Sequence, residues 1–268
     1  MKELTDQERT DRRLRRLEST LRRGHYPDPA DISYIAEVEG VRAFFLVDEP
    51  YSQGWFYPRY ANGRLHEAAL TQYMMKSLSP TSLFLDVGAH LGYFSVLAAL
   101  RAGRVFTIEP QEFLIGRIHR NISANHLDNV TLIHAAAGEA PGFAGIPKVG
   151  TPGTRVGTSE NLVPVIRLDD YFSGELMPTH VKIDTEGFEY QVLLGARKIL
   201  ETRPVLFIEV HEKMTNFGYD RKQLYTFLSD SGYRLLHLRH RKDEAAEIEV
   251  TVEQMMELSN SMVICEPR

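Results

Sequence analysis

The sequence has a single cysteine, Cys265, among its 268 residues. An intrachain disulfide is therefore excluded, which fits a reducing compartment. No apolar stretch approaches the roughly 20 residues that span a bilayer, and residues 1–20 lack the apolar centre of a signal peptide. These absences favour a cytoplasmic protein without a membrane span. Because Cys265 follows Met262-Val263-Ile264, we interpret it as a buried strand residue rather than a nucleophile.

An excess of positive charge is also absent, since the formal net charge is −5 at pH 7. Nucleic acid and anionic membranes are thus not favoured as partners. The exception is the arginine-rich segment 9–23, where Leu14, Leu17 and Leu21 recur at helical spacing. We interpret it as a solvated helix whose narrow apolar stripe packs on the body or on a second copy in a homodimer. A grip on phosphate groups or an acidic acceptor is the alternative.

The chain divides near residue 64 into an extension and a larger domain. Residues 1–64 predict the basic helix, a hairpin at YIAEVEG-VRAFFLV, and an aromatic, turn-rich loop over 49–64. Residues 65–268 form the predicted larger domain, which opens with a helix over 65–78. The sequence shows no internal repeat.

From Ser82 onward, apolar strands alternate with helices. Strands are predicted at SLFLDV, VFTIE, VTLIHAAA, HVKID and PVLFIEV. Helices are predicted at GYFSVLAALRA, 113–125, EYQVLLGARKIL and 221–231, with loops and short strands between 138 and 164. This alternation implies βαβ units and an α/β fold with a doubly wound, mostly parallel sheet. YRLLHLR and SMVICE then suit a sixth strand and an antiparallel seventh.

A glycine-rich turn joins the first of these strands to its helix at Asp86-Val87-Gly88-Ala89-His90-Leu91-Gly92. Gly88 lets the backbone turn tightly beside a ligand. Gly92 opens a helix whose free N–H groups favour an anion, which Ser95 could also reach. The alternative is an ordinary tight connection between strand and helix.

Glu109 makes a ligand the better explanation of this turn. It ends the second strand, where a carboxylate can accept hydrogen bonds from both hydroxyls of a ribose. Nicotinamide and S-adenosylmethionine enzymes share this arrangement. The turn does not match G-x-G-x-x-G, however, which disfavours a pyrophosphate and favours S-adenosylmethionine as the cofactor.

Titratable residues follow the fourth and fifth strands, where ligands of open α/β sheets bind. Asp184 and Glu186 follow the fourth strand, and Glu209 and His211 end the fifth. His211 suits proton removal from an acceptor hydroxyl because its ordinary pKa lies near neutrality. Asp184 could orient His211 or accept the proton itself. A strand-end histidine bonded to the backbone is the structural alternative for His211.

Other roles are open for the acidic residues of this region. Glu186 and Glu189 could simply complement the dipole of the helix that they precede. Lys182, inside a strand, is most simply explained by a buried ion pair. Asp184 with Glu209 or His211 could hold a divalent cation, but the spacing matches no recognised metal motif, so no metal is predicted.

With these pieces placed, the chain resembles the FkbM family of S-adenosylmethionine-dependent methyltransferases. The resemblance covers about residues 65–212 and is carried by FLDVGAHLGYFS, VFTIEP, NISANHLDNVTLIHAAAG, VIRLDDYF, VKIDTEGFEYQVLLGA and PVLFIEVHE. It implies a Rossmann-like class I methyltransferase fold with seven strands. It also implies O-methylation of a hydroxyl on a glycan or secondary metabolite.

The resemblance also assigns roles to single residues. Those assigned to the cofactor are Asp86, Gly88, Ala89, His90, Gly92 and Glu109, with Ala136 near the adenine. Asp184, Glu186 and His211 are placed around the acceptor. At His90 the family often has Asn, which changes the polar contact there. Transfer to nitrogen, a carboxyl group or nucleic acid, and an inactive cofactor-binding scaffold, are the alternatives.

Overall fold

This computed structural model describes residues 33–60, 63–146, 161–238, 248–258 and 261–268. The arginine-rich segment that the sequence predicts to be helical lies outside these residues. The chain forms two compact units, Met1–His66 and Glu67–Arg268. Within the described ranges, no helix is long and apolar enough to cross a membrane.

The first unit contains the hairpin that the sequence predicts, formed by β1 (Ser33–Val38) and antiparallel β2 (Val41–Leu46). Its turn residues, Glu39 and Gly40, both have positive φ, as the tightest hairpin turns require. The loop predicted over 49–64 is wrong in part, because α1 (Pro50–Tyr60) is a helix.

Two start signals produce α1 and outweigh its aromatic composition. The Glu49 carboxylate accepts the backbone N–H groups of Tyr51 and Ser52 at 2.8 and 2.7 Å, which satisfies two amides of the first turn. Pro50 occupies the first helical position, where its missing N–H costs nothing. Phe56 then stacks on Tyr34 of β1, with ring centroids 5.0 Å apart.

The second unit alternates strands and helices. Its first half comprises α2 (Ala68–Ser77), β3 (Leu83–Val87), α3 (Tyr93–Ala99), β4 (Arg104–Glu109), α4 (Glu112–Ala124), β5 (Val130–His134), β6 (Ala136–Ala137), β7 (Gly142–Gly145) and β8 (Leu162–Ile166). Its second half comprises α5 (Leu168–Tyr171), β9 (His180–Ile183), α6 (Glu189–Leu194), α7 (Arg197–Glu201), β10 (Val205–Val210), α8 (Arg221–Asp230), β11 (Tyr233–Leu238), β12 (Ile248–Val250), α9 (Val252–Glu257) and β13 (Ser261–Pro267).

The main sheet has the order β12-β11-β13-β10-β9-β3-β4-β5. β3, β4, β5, β9 and β10 are parallel, and β13 is antiparallel to both of its neighbours. The doubly wound sheet with an antiparallel last strand is thus confirmed. Three-residue β12 adds an eighth strand at the edge beyond the seven predicted. The chain runs outward in opposite directions from β3 and β9, so the switch point lies between them.

The central strands are buried along their whole length, as parallel strands covered on both faces must be. Every residue of β3 and β9 is buried, including the charged Asp86 and Lys182. Cys265 in β13 is fully buried, and this burial raises the pKa of its thiol. Its interpretation as a core residue is confirmed.

Two predicted elements are divided in the structure. VTLIHAAA forms β5 and then β6, which leaves the main sheet and pairs with β8 in a three-stranded sheet of order β6-β8-β7. EYQVLLGARKIL forms α6 and α7, interrupted at Gly195. A Cβ atom on Gly195 would lie 2.0 Å from the Gly138 carbonyl oxygen. Close packing of Gly195 on that backbone therefore accompanies the break.

Candidate active site

Gly88 lies at the switch point, where the turn after β3 touches the end of β9. It has φ +85°, and a Cβ atom there would lie 1.9 Å from the Asp184 carbonyl oxygen. The Asp184 N–H in turn donates to the Val87 carbonyl at 3.0 Å. From the sequence, the need for glycine at position 88 was explained by the close approach of a ligand. The structure shows a second reason, namely direct contact between the two strand ends.

The glycine-rich turn closes on itself. Gly92, with φ +76°, donates its N–H to the Ala89 carbonyl at 2.8 Å. The N–H of Gly92 itself is therefore engaged within the turn, and the role of the following helix N-terminus toward an anion stays a prediction. His90 adopts a left-handed conformation with φ +55°, which is uncommon for a residue other than glycine. The turn is thus held by its own backbone hydrogen bond, with His90 between the two residues that form it.

Glu109 holds this turn from the end of β4. It is almost fully buried, and its two carboxylate oxygens accept the N–H groups of His90 and Gln111, each at 2.8 Å. Burial raises the pKa of Glu109 to about 7, although both hydrogen bonds oppose the shift. Each oxygen has a second lone pair. Glu109 can therefore brace the turn and still accept hydrogen bonds from a ligand.

Asp86 lies below the turn in a buried chain of polar groups. Thr107 Oγ1 donates to Ser95 Oγ at 2.9 Å, and Ser95 Oγ donates to Asp86 Oδ2 at 2.6 Å. Ser95 is fully buried and its hydroxyl supports Asp86, while its direct contact with a cofactor stays a prediction. Within the described part of the chain, Asp86 Oδ1 has no hydrogen-bond partner. Burial raises the pKa of Asp86, although Lys182 opposes this.

Lys182 forms the buried ion pair that the sequence suggested. It is 2% exposed, with Nζ 3.2 Å from Asp184 Oδ2 and 4.7 Å from the centre of the Phe94 ring. Burial alone would raise the pKa of Asp184, but Lys182 and His211 hold it well below its usual range. Asp184 is consequently an anion at neutral pH.

His211 connects the strand ends to the segment before α6. Its Nδ1 lies 2.9 Å from Oε1 of the fully buried Glu189. Its Nε2 lies 3.7 Å from carboxylate oxygens of both Glu186 and Glu209. The structure thus brings Glu186 and His211 together, as predicted. The alternative of a histidine bonded to the backbone finds no support in these contacts.

The near-neutral pKa expected for His211 does not hold in this environment. Burial lowers this pKa, but the hydrogen bond that His211 donates to Glu189 and the nearby carboxylates raise it to about 9. The pKa of Glu209 is also raised above its ordinary value. Burial and the neighbouring Asp184 raise the pKa of Glu209 to about 9, so it is protonated at neutral pH.

One side-chain atom each of Asp184, Glu209 and His211 lies within 4.8 Å of the other two. These are the described groups that could together hold a divalent cation. Lys182 already supplies a positive charge to Asp184 at 3.2 Å.

The sequence model of the methyltransferase FkbM domain matches residues 86–235. The chain belongs to the FkbM methyltransferase family. The match begins at Asp86 and extends past His211, so the candidate site lies wholly within the family domain. The sheet order found here is that of the Rossmann-like class I methyltransferases.

Three individual proteins illustrate the similarity of this chain to known methyltransferases, each with a sequence identity of 25% or less. The hexuronic acid methyltransferase AglP of Haloferax volcanii is 25% identical over 202 residues, covering 74% of this chain and 80% of AglP. The crystal structure of methyltransferase FkbM from Methylobacillus flagellatus KT has a TM-score of 0.48 and 22% identity, covering 81% of this chain. This chain covers 48% of that one, about half its length. TYW2 of M. jannaschii, solved with AdoMet, has a TM-score of 0.45 and 15% identity, covering 90% of this chain and 87% of TYW2.

Ala136, which the family resemblance placed near an adenine, is buried in β6. It lies two positions after His134, the register partner of Glu109 on the neighbouring strand. Ala89, in the turn, is also buried. The roles of these two residues toward a cofactor stay predictions.

Sequence reasoning missed two supporting residues of this FkbM-family site. Thr107 was interpreted only as part of a strand, and Glu189 only as a helix-dipole or acceptor residue. A usable signal for Glu189 was its place at the start of EYQVLL, a mostly apolar helix in which a buried carboxylate needs a partner.

Proposed function

We propose that this methyltransferase transfers the methyl group of S-adenosylmethionine to a hydroxyl group of a sugar or glycan. The observation that carries the proposal is the convergence of Asp184, Glu209 and His211 within 4.8 Å. They lie at the carboxyl ends of adjacent parallel strands, next to the Gly88 turn, where open α/β sheets bind their ligands. AglP, a hexuronic acid methyltransferase by name, supports a sugar acceptor.

The residues around the turn fit S-adenosylmethionine. Glu109 retains lone pairs for ribose hydroxyls, and Ala136 offers a small apolar side chain next to the end of β5. The anionic Asp184 would complement the positive charge on the cofactor's sulfur. When bound, the cofactor supplies an electrophilic methyl group on a cationic sulfur. Asp86, Gly88, Ala89, His90, Gly92 and Glu109 would form its site, with Ser95 acting through Asp86.

His211 would act on the acceptor hydroxyl. When Nδ1 donates to Glu189, the Nε2 atom of the neutral ring is the acceptor that can remove a proton. Nε2 faces Glu186 and Glu209, so an acceptor hydroxyl bound between these side chains is within reach. Asp184, held by Lys182, would accept a hydrogen bond from the acceptor and keep its oxygen in line with the methyl group.

Replacing Glu109 with alanine is expected to weaken S-adenosylmethionine binding by about 1.5–3 kcal/mol, because hydrogen bonds to ribose are lost together with the support of the turn. Calorimetry measures the change, with NAD as a ligand that should not bind comparably. The matched control is Glu112→Ala, since Glu112 is an exposed carboxylate three residues away. Unchanged affinity in Glu109→Ala would mean that this side chain serves only the turn.

The acceptor class is tested by incubating the protein with methyl-labelled cofactor and separate pools of neutral sugars, uronic acids and secondary metabolites. We expect the label in an ether linkage on a sugar oxygen, which survives mild base. A methyl ester would be released by mild base, and an N-methyl product would differ in its fragmentation. Either of the latter as the sole product would replace the proposed O-methylation.

A further inference from the structure

We infer that Glu189 is the positioning residue of His211, the carboxylate that fixes the ring orientation and tautomer with Nε2 turned toward the acceptor. The inference rests on the proposed function for the identity of that acceptor. The pair itself can be tested on the protein alone.

The first support is the geometry of the pair. Glu189 is fully buried, His211 is 8% exposed, and their side chains meet at 2.9 Å through Nδ1. A carboxylate only accepts hydrogen bonds, so Nδ1 must carry a hydrogen. In the neutral ring the free lone pair then lies on Nε2. Glu189 thereby selects which nitrogen can act as a base.

The second support is the way in which Glu189 itself is held. The Oε1 atom that meets His211 also accepts the N–H of Gly187 at 2.8 Å and that of Thr185 at 3.3 Å. Both amides precede α6, in a segment where Glu186 and Gly187 have positive φ. A carboxylate that only complemented the dipole of its own helix would need neither these contacts nor an imidazole from beyond β10.

The third support is the charge around the ring. The groups that face His211 are Glu189 from α6, Glu186 from the segment before it, Asp184 from the end of β9 and Glu209 from β10. Two of these are offset by lysines, since Lys213 pairs with Glu186 and Lys182 with Asp184. Glu189 has no cationic partner other than His211 among the contacts of the described chain. Its charge therefore acts mainly on His211.

The test measures the protonation of His211 in the free protein by NMR of labelled histidine, with the resonance assigned through its loss in His211→Gln. We expect a midpoint near pH 9 in the wild type. In Glu189→Gln, which keeps an acceptor oxygen but removes the charge, the midpoint should fall by at least about one pH unit. Glu212→Gln is the control, because Glu212 is an exposed neighbour paired with Arg221. It should leave the midpoint in place.

The outcomes separate this inference from the proposed function. An unshifted midpoint in folded Glu189→Gln overturns the inference, as does a wild-type midpoint at or below pH 6.5, which can be measured even if the variant does not fold. With an active acceptor, Glu189→Gln should lower kcat about tenfold or more at high pH and move the pH profile to the acid side. A shifted NMR midpoint in a protein that methylates no hydroxyl would support the pair and contradict the proposed function.

Discussion

Replacing His211 with alanine is expected to lower kcat by about 10²–10⁴-fold while cofactor affinity stays nearly unchanged. Under the proposed function the loss follows because Nε2 of His211 would be the base for the acceptor, whereas the turn assigned to the cofactor is braced by Glu109. Steady-state kinetics and calorimetry measure the two effects. His119→Ala is the matched control, since His119 is exposed on α4 and should leave both quantities unchanged.

The pH dependence of the wild-type enzyme has a definite sign under this mechanism. The base must be unprotonated, and the carboxylates around His211 raise its pKa to about 9. The rate should therefore rise with pH and level off above about pH 9 instead of near pH 6.5. In Asp184→Asn, kcat should also fall, because the acceptor loses a partner that holds its oxygen in line.

The His211 prediction also separates a metal-free from a metal-dependent reaction. We expect EDTA to leave wild-type turnover unchanged, because Lys182 already supplies positive charge at Asp184. Turnover that EDTA abolishes and magnesium restores would make Asp184, Glu209 and His211 cation ligands, and the base assignment would be wrong. If His211→Ala retains near-normal kcat in metal-free buffer, Asp184 or Glu186 becomes the better candidate for the base.

Gly88→Ala should destabilise the protein by about 3–5 kcal/mol, through overpacking together with a strained left-handed backbone. The new methyl group would lie 1.9 Å from the Asp184 carbonyl oxygen, and φ at this position is +85°. Urea unfolding measures the loss. Gly116→Ala is the control, since Gly116 lies within α4 with nothing within 4 Å of its would-be Cβ.

The control should move stability in the opposite direction. Alanine in place of a helical glycine is expected to stabilise by about 0.5–1 kcal/mol. Equal and small effects at the two positions would show that the turn after β3 can move away from Asp184, contrary to the packing described here.

Periodicity was sufficient to predict most of the main sheet. Runs such as SLFLDV and PVLFIEV are apolar because their strands are covered on both faces, so composition alone reveals them. The predicted parallel sheet also brought Asp184, Glu186 and His211 near each other, since the carboxyl ends of parallel strands meet at one edge of the sheet. The same reasoning failed at Pro50–Tyr60, where capping by Glu49 outweighed a turn-like composition.

What the sequence could not provide was the hydrogen-bond partners of buried polar groups such as Glu189 and Ser95. Glu189 precedes His211 by 22 residues, and this spacing does not predict a hydrogen bond between them. Glu189 is among the groups that raise the pKa of His211, and this influence is not visible in the sequence. Likewise, nothing in the sequence indicated that the hydroxyl of Ser95 is hydrogen-bonded to Asp86 and Thr107.

Gly88 packs directly on the backbone of Asp184, so that not even a methyl group fits between the turn after β3 and the end of β9. We therefore expect a displacement of either strand end to move the other, because no side chain lies between them. Under the proposed function, binding at the turn and binding at the acceptor side become linked through this contact. By thermodynamic linkage, if the cofactor changes the affinity for the acceptor by some factor, the acceptor changes the affinity for the cofactor by the same factor.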